Sequence, residues 1–498
     1  MGLSQQSSRQ TFGRVEISLF LLLVVWLAWQ LWGLEVIWRP WEDETDFVLP
    51  GANWARTGHF CLPQWQGLFG SETVWRWHMP LFPLLIALWL KVFGTSLVSI
   101  RLFTLIPAAC AIVLASEFCL RISDWRSVSA RLFWWALLLS DKTLIVNALG
   151  GRMEFHALCF ILLSFAAAFT VRSAGQFFIA GLFLGIAIGF HPFAAYFYPA
   201  LCAVAFMRFS IWKIRWRSTI FAGIGAAIPG VAYAIWFLLE PSASASQFLT
   251  LVRNSSTPIL ENCKGLARGV HHLPPAQRLA GLLAIGLAAI SLRTSQARKN
   301  VAKILLVALA GYVAFLLRGS AEHYYYYVPL TVLLYLFCAY SLSSLQIAGF
   351  NAGRVVLAVL LLNNIVFVGV KSRAVWQNRA KSDPRPMEAY LREQLKGAQR
   401  VVVPPKLWLF AFHEKLNFRL MQTPISDFPA AVWVDYRAGL LKWRPEVVVI
   451  SNQPWPSLTA EDLLVAGYKE TGHYDRTFAH QFKFKGYKLR IFRSTGGL

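Results

Sequence analysis

ISLFLLLVVWLAWQLWGLEV, running from Ile17 to Val36, is an apolar stretch as long as the roughly 20 residues that a helix needs to cross a bilayer. It is too long for the core of a signal peptide, and no small-residue cleavage site follows before Trp41, so it reads as a retained first span with its N-terminus on the cytoplasmic side. The rest of the 498-residue chain repeats the theme. Hydrophobic residues make up 56%, with 21 Trp and 37 Phe, gathered in long runs between short basic loops, and the mean hydropathy is +0.48. This is the composition of a polytopic α-helical membrane protein.

Further spans fall near 98–120, 131–149, 153–171, 175–190, 193–208, 219–239, 279–292, 302–317, 326–346 and 353–370, giving about 11 transmembrane helices. The run from Pro80 to Val92 is the ambiguous one. Its roughly 15 residues would extend about 22 Å as a helix, short of a ~30 Å hydrocarbon core, and it contains Lys91. Read as interfacial or re-entrant, it leaves the loops Arg121–Arg131, Arg208–Arg217 and Arg293–Lys303 inside, all strongly basic as the positive-inside rule requires. The formal net charge of +23, which in a soluble protein would point to nucleic acid, is then explained by topology and anionic membrane lipid, and no nucleic-acid partner is expected.

The same count puts residues 38–97, 150–153, 240–278, 318–325 and everything after Lys371 on the outer face. The transmembrane domain is expected to be 1–370, including an outer loop 38–97 with interfacial helices. Residues 371–498 form a small extracytoplasmic α/β domain, with strands at Arg400–Val403, Glu446–Ser451 and Lys485–Arg493 and a helix at Pro386–Leu395. Its 21 basic and 11 acidic residues serve solubility, or face an acidic lipid or polymer. The seven cysteines show no CxxC or Cys/His spacing, so no metal ligand set is visible and a divalent ion stays open. Cys61 and Cys263 both fall in outer loops, where an oxidising compartment would permit a disulfide.

The loop after the first span opens with Trp41-Glu42-Asp43-Glu44-Thr45-Asp46, which holds four of the chain's 25 acidic residues. Clustered carboxylates at a membrane surface raise one another's pKa values, and such a cluster persists most readily where it binds a cation or does proton chemistry. Asp43-Glu44-Thr45 is followed in order by Thr57-Gly58-His59-Phe60, Pro63 and Gly67, His78-Met79-Pro80-Leu81, Phe93-Gly94 and Arg101-Leu102. This ordered set resembles the first outer loop of GT-C class membrane glycosyltransferases, in particular the branch of protein O-mannosyltransferases and lipid A aminoarabinose transferases. Gly151-Arg152-Met153-Glu154 is similar to the Arg-x-acid motif of their second outer loop, and the pattern of spans fits across about 370 residues. The family pattern commonly has Lys or Glu near a Pro-Pro-Leu in the first outer loop, where this chain has His78-Met79-Pro80.

The resemblance implies an inverting hexosyl- or pentosyltransferase at the outer face of the bacterial inner membrane or an equivalent compartment. Its donor would be a polyprenyl-phosphate sugar and its acceptor a lipid, glycan or protein. The phosphate leaving group needs little help from an acid, so one carboxyl acting on the acceptor suffices, unlike the carboxylate pair of glycosidases. Asp43 is implied as base or acceptor-orienting group with Glu44 shaping the site; the alternative for Asp43 is an ion pair with Arg76 or Arg101. Arg101 is implied to hold the carrier phosphate, for which the planar guanidinium fork is suited; snorkelling to headgroups is its alternative. Arg152 and Glu154 either orient each other or contact the sugar. His78 and His191 are candidate substrate contacts, and Pro192 alone would also explain the break at His191. Arg318 and His323, in Arg-Gly-Ser-Ala-Glu-His before four tyrosines, are candidates for the carrier phosphate, and the tyrosines fit an interfacial aromatic belt. A transporter or flippase of lipid-linked saccharides, or a polymerase, is the competing reading. Transporters usually carry polar residues near the midplane and paired repeats, whereas here the charges sit at outer helix ends and no repeat is evident.

Overall fold

The computed structural model describes residues 2–34, 42–123, 127–170, 173–249, 259–273, 275–290, 296–320, 324–344, 352–421, 430–451, 458–477 and 486–495. Its contacts form two compact units, one of residues 1–31, 104–235 and 256–370, the other of residues 32–103, 236–255 and 371–498. His323 lies outside the described residues.

Each expected span contains helix: Gly2–Trp32, Leu97–Ser123, Val128–Leu139, Glu154–Thr170, Phe177–Phe190, Tyr198–Arg208, Trp212–Leu238, Pro275–Ile290, Gln296–Phe315, Tyr327–Ser344 and Ala352–Ser382. Among the described residues, four helical stretches are both long and apolar enough to cross a membrane, at Leu97–Ser123, Trp212–Leu238, Asn300–Arg318 and Val356–Gln394. Ile220, Ile224, Ile228, Val231 and Ile235 are all exposed. They line one face of Trp212–Leu238 at helical spacing, and such a stripe is stable only against lipid or another apolar surface. The chain is an integral membrane protein.

In the first unit, the region expected to be one span at 131–149 is broken. Val128–Leu139 stops, and a second helix, Lys142–Ala148, starts at Asp141. The Asp141 side chain caps the new helix by accepting from the Leu144 N–H at 3.0 Å. Inside the bundle it also accepts from the Tyr335 hydroxyl at 2.8 Å and from the Gln277 amide. Asn364 donates to Tyr335 Oη at 3.2 Å and to the Leu137 carbonyl at 3.0 Å, satisfying a group that the break leaves free. A fully buried acid is tolerated here because both its oxygens accept hydrogen bonds, Oδ1 from the Leu144 N–H and Oδ2 from Tyr335 and Gln277. Elsewhere in the unit Phe177–Phe190 and Trp212–Leu238 touch backbone to backbone. A Cβ on Gly181 would lie 1.9 Å from the Ala222 carbonyl oxygen, and one on Gly225 2.1 Å from that of Phe178. Small residues at such crossings replace the hydrophobic drive that helices in lipid lack.

In the second unit, Leu81–Phe93 is a helix of 13 residues, about 20 Å long. It buries Phe82, Ile86, Ala87 and Leu90 and packs on the helix Leu49–Thr57, where Gly51 leaves room for the Ile86 side chain. The C-terminal part carries a helix, Arg385–Gln394, and a mixed five-stranded sheet. Its strands are β1 (Arg400–Val403), β2 (Asn417–Leu420), β3 (Val447–Ser451), β4 (Tyr468–Thr477) and β5 (Gly486–Ser494), in the order β2-β1-β3-β5-β4. β1 runs parallel to β2 and β3, with Val401 level with Phe418 and Val447; β5 is antiparallel to both β3 and β4. β3 is buried throughout, as a central strand covered on both faces must be. β4, at one edge, alternates exposed and half-buried residues and has a bulge between Glu470 and Gly472. At the other edge the turn Pro63–Trp65 packs on β2, and Arg419 donates to Gln66 Oε1. Cys61 is buried and Cys263 exposed, each as a free thiol.

Candidate functional site

Two polar clusters stand out, one in each unit. In the second unit the acidic pentapeptide folds as the short helix Glu42–Phe47. Successive residues on a helix point about 100° apart, which separates neighbouring acids. Asp43 is half-buried, whereas Glu44 is wholly buried and forms an ion pair with Arg101, itself at 0% exposure. Burial pushes the Glu44 carboxyl up to about 7, more than the charge and hydrogen bond of Arg101 pull it down, and the neighbouring Asp43 adds to the rise. The Trp408 indole N–H is near enough to favour the charged form, yet neither it nor Glu44 Oε2 closes a hydrogen bond of ordinary geometry among the described residues. Trp408 belongs to the tail, whose turn Pro405–Leu407 packs on the acid helix.

The same unit places His78 half-exposed, its ring 4.4 Å from that of Phe47 and 5.9 Å from that of Trp75. Arg76 is buried. Its guanidinium lies 3.9 Å from the Trp236 ring centroid and donates to the Trp75 carbonyl at 2.8 Å. Its backbone N–H donates to Gln247 Oε1 at 2.6 Å, and Gln247 in turn donates to the carbonyls of Phe69 and Val74. Gln247 thereby ties down the second half of the loop. It lies 171 residues from Arg76, and a lone Gln carries no sequence signal of that role.

In the first unit Gly151, at φ 64°, turns the chain into the helix that Glu154 begins. A carboxylate in a first helical turn is favoured by the helix dipole. The Arg152 Nε and Nη2 donate to Glu154 Oε1 at 2.9 and 2.8 Å, and the guanidinium stacks 3.4 Å from the Tyr325 ring centroid. Tyr326 lies near them, its ring 5.3 Å from that of His191. His191 is buried and caps the turn Pro192–Phe197, its Nδ1 accepting from the Phe193 N–H at 3.2 Å. Three of the four tyrosines make contacts within the unit. Tyr325 covers Arg152, Tyr326 accepts from the Tyr312 hydroxyl through its carbonyl, and Tyr327 is 1% exposed. Arg318 sits in a π-helical turn, Leu316–Ser320, with its side chain exposed and no carboxylate partner among the described residues. Nor do three His, Cys, Asp or Glu side chains gather among those residues as a metal-ligand set.

No family model matches this chain, and no curated protein matches it. Among solved structures it is similar to the oligosaccharyltransferase of Archaeoglobus fulgidus, crystallised in complex with Zn and sulfate. The TM-score is 0.44, with 16% sequence identity, over 93% of this chain and 72% of that one.

Proposed function

We propose that this protein is an inverting membrane glycosyltransferase of the GT-C class, transferring a sugar from a polyprenyl-phosphate carrier to an acceptor on the extracytoplasmic face. The observation that carries this reading is the acid helix. The ordered motifs of its loop resemble that class, and its two central acids are sorted into one buried acid locked to Arg101 and one accessible neighbour. A proton acceptor for a hydroxyl must be reachable, and Asp43 is reachable where Glu44 is not.

In the step assigned to it, the acceptor oxygen attacks the anomeric carbon from the face opposite the phosphate. The C–O bond to phosphate breaks, its electron pair leaves on the carrier phosphate, and the acceptor proton passes to Asp43. Configuration inverts because there is one displacement. Glu44 and Arg101 act as positioning residues: an acid and a guanidinium, both fully buried, fix the helix that presents Asp43. In the first unit, where Arg152 is answered by Glu154, the exposed Arg318 is a separate candidate for a phosphate contact, for which a guanidinium is well matched.

The competing reading is a flippase for the same lipid-linked sugar. Purified protein in liposomes, supplied with polyprenyl-phosphate sugars and an acceptor panel, separates them. Appearance of glycosylated acceptor and free polyprenyl phosphate is expected, and movement of the intact donor between leaflets without transfer would overturn the assignment.

A further inference from the structure

The first unit encloses an apolar cavity of about 440 Å³ that none of the residues above uses. This is within the ~300–1,000 Å³ typical of ligand pockets. Its wall is almost wholly hydrocarbon and aromatic. Leu158 and Phe169, both lining it from the helix Glu154–Thr170, are separated by about 16 Å along the axis. The Leu158 end lies one turn from Glu154; at the Phe169 end the ring of Phe118 approaches to 6.2 Å, and Arg121, one turn on from Phe118, lines the same cavity. Among the described residues Arg121 is the only charged one in the lining. Its side chain is exposed, and no carboxylate among those residues pairs with it. Lys303, also exposed, stands beside the lining residues Val301 and Ile304.

We infer that this cavity binds one anionic glycerophospholipid, with an acyl chain in the slot and the phosphate of its headgroup on Arg121. Charge placement chooses the occupant. A chain whose phosphate belonged at the Arg152 end would meet a guanidinium already held by Glu154, whereas Arg121, at the opposite end, has no carboxylate partner among the described residues. Arg121 opens one of the basic loops that the sequence assigns to the cytoplasmic side, so the headgroup belongs to the leaflet away from the proposed chemistry. The inference concerns binding alone and does not depend on sugar transfer.

Native mass spectrometry of the delipidated full chain, incubated with equal amounts of phosphatidylglycerol and phosphatidylcholine of the same acyl length, tests it. One phosphatidylglycerol per protein is expected, favoured about five-fold over phosphatidylcholine, as one basic side chain at an anionic headgroup provides. Arg121→Gln, an exposed position, should erase the preference, while Arg217→Gln keeps it. Ala308→Phe, which fills the slot, should remove both lipids. Equal retention of the two lipids by the unaltered protein, or an unchanged preference in Arg121→Gln, would overturn the proposal. Polyprenyl phosphate displacing phosphatidylglycerol at equal concentration would overturn it too, assigning the slot to the carrier.

Discussion

Replacing Glu44 with Gln sets two physical effects of opposite sign against each other. A buried guanidinium that loses its counter-charge ordinarily costs about 3–5 kcal/mol, so the variant would be expected to unfold more easily. The environment of Glu44 favours the reverse. Its carboxyl rises from 4.5 to about 7 because burial outweighs Arg101, so the folded protein prefers the neutral side chain that Gln imitates. Between pH 4.5 and 7 the folded state keeps a proton that the unfolded chain has released, and stability therefore falls as pH rises through that window. At 1.36 kcal/mol for each pKa unit the fall is about 3 kcal/mol. Glu44→Gln should match the unaltered protein near pH 4.5 and exceed its stability by about 3 kcal/mol at pH 8. Chemical unfolding in bicelles, followed by tryptophan fluorescence at both pH values, reads the difference, and histidines common to the two proteins cancel. A variant that is less stable at pH 8 by several kcal/mol would refute this reasoning, because the ion pair would then stabilise the fold by more than its burial costs. If Gln does stabilise, Glu44 is retained at a cost to stability, as expected of a group kept for function.

Other outcomes can be checked separately. Asp43→Asn should lower sugar transfer by at least about 10²-fold, the usual loss with a general base, while carrier binding, measured by equilibrium titration, changes less than two-fold. Asp141→Leu leaves the Gln277 amide, the Tyr335 hydroxyl and the Leu144 N–H without their acceptor; at ~1–3 kcal/mol for each buried orphan, a loss of about 3 kcal/mol or more should appear as a lower unfolding midpoint. Gly181→Ala forces a methyl onto the Ala222 carbonyl and should sharply reduce the yield of monodisperse protein by size exclusion, whereas Gly175→Ala, with nothing within 4 Å, should behave as the parent.

The helical spans were legible because apolar runs of membrane length seldom arise for any purpose but crossing a bilayer, the tail's β1 and β3 because their β-branched runs read as strands, and β5 because Tyr487, Leu489 and Ile491 alternate with polar residues. β4 escaped notice since Tyr468–Thr477 is polar along nearly its whole length; an edge strand owes its place to pairing with β5 more than to burial. The break at Asp141 was hidden because an acid within an apolar run says nothing of its partners, and Gln277, Tyr335 and Asn364 lie far along the chain. Adjacent acids posed the same difficulty. Sequence placed Asp43, Glu44 and Arg101 in one loop region, but which acid faces the guanidinium depends on helical phase, and the fold selects Glu44.

The two borders of the tail's sheet, unpaired among the described residues, have a bearing on crowding. Proteins confined to a membrane surface meet their neighbours at high effective concentration, and a bare strand there invites a neighbour to zip on. Lys469, Glu470, Asp475 and Arg476 and the bulge make the β4 border a poor template. The β2 border is four residues long and is shielded by the turn Pro63–Trp65 from the loop after the first span. That loop therefore covers the β2 border as well as carrying the acids. Residues 371–498 severed from it would keep one guarded border and lose the shield on the other.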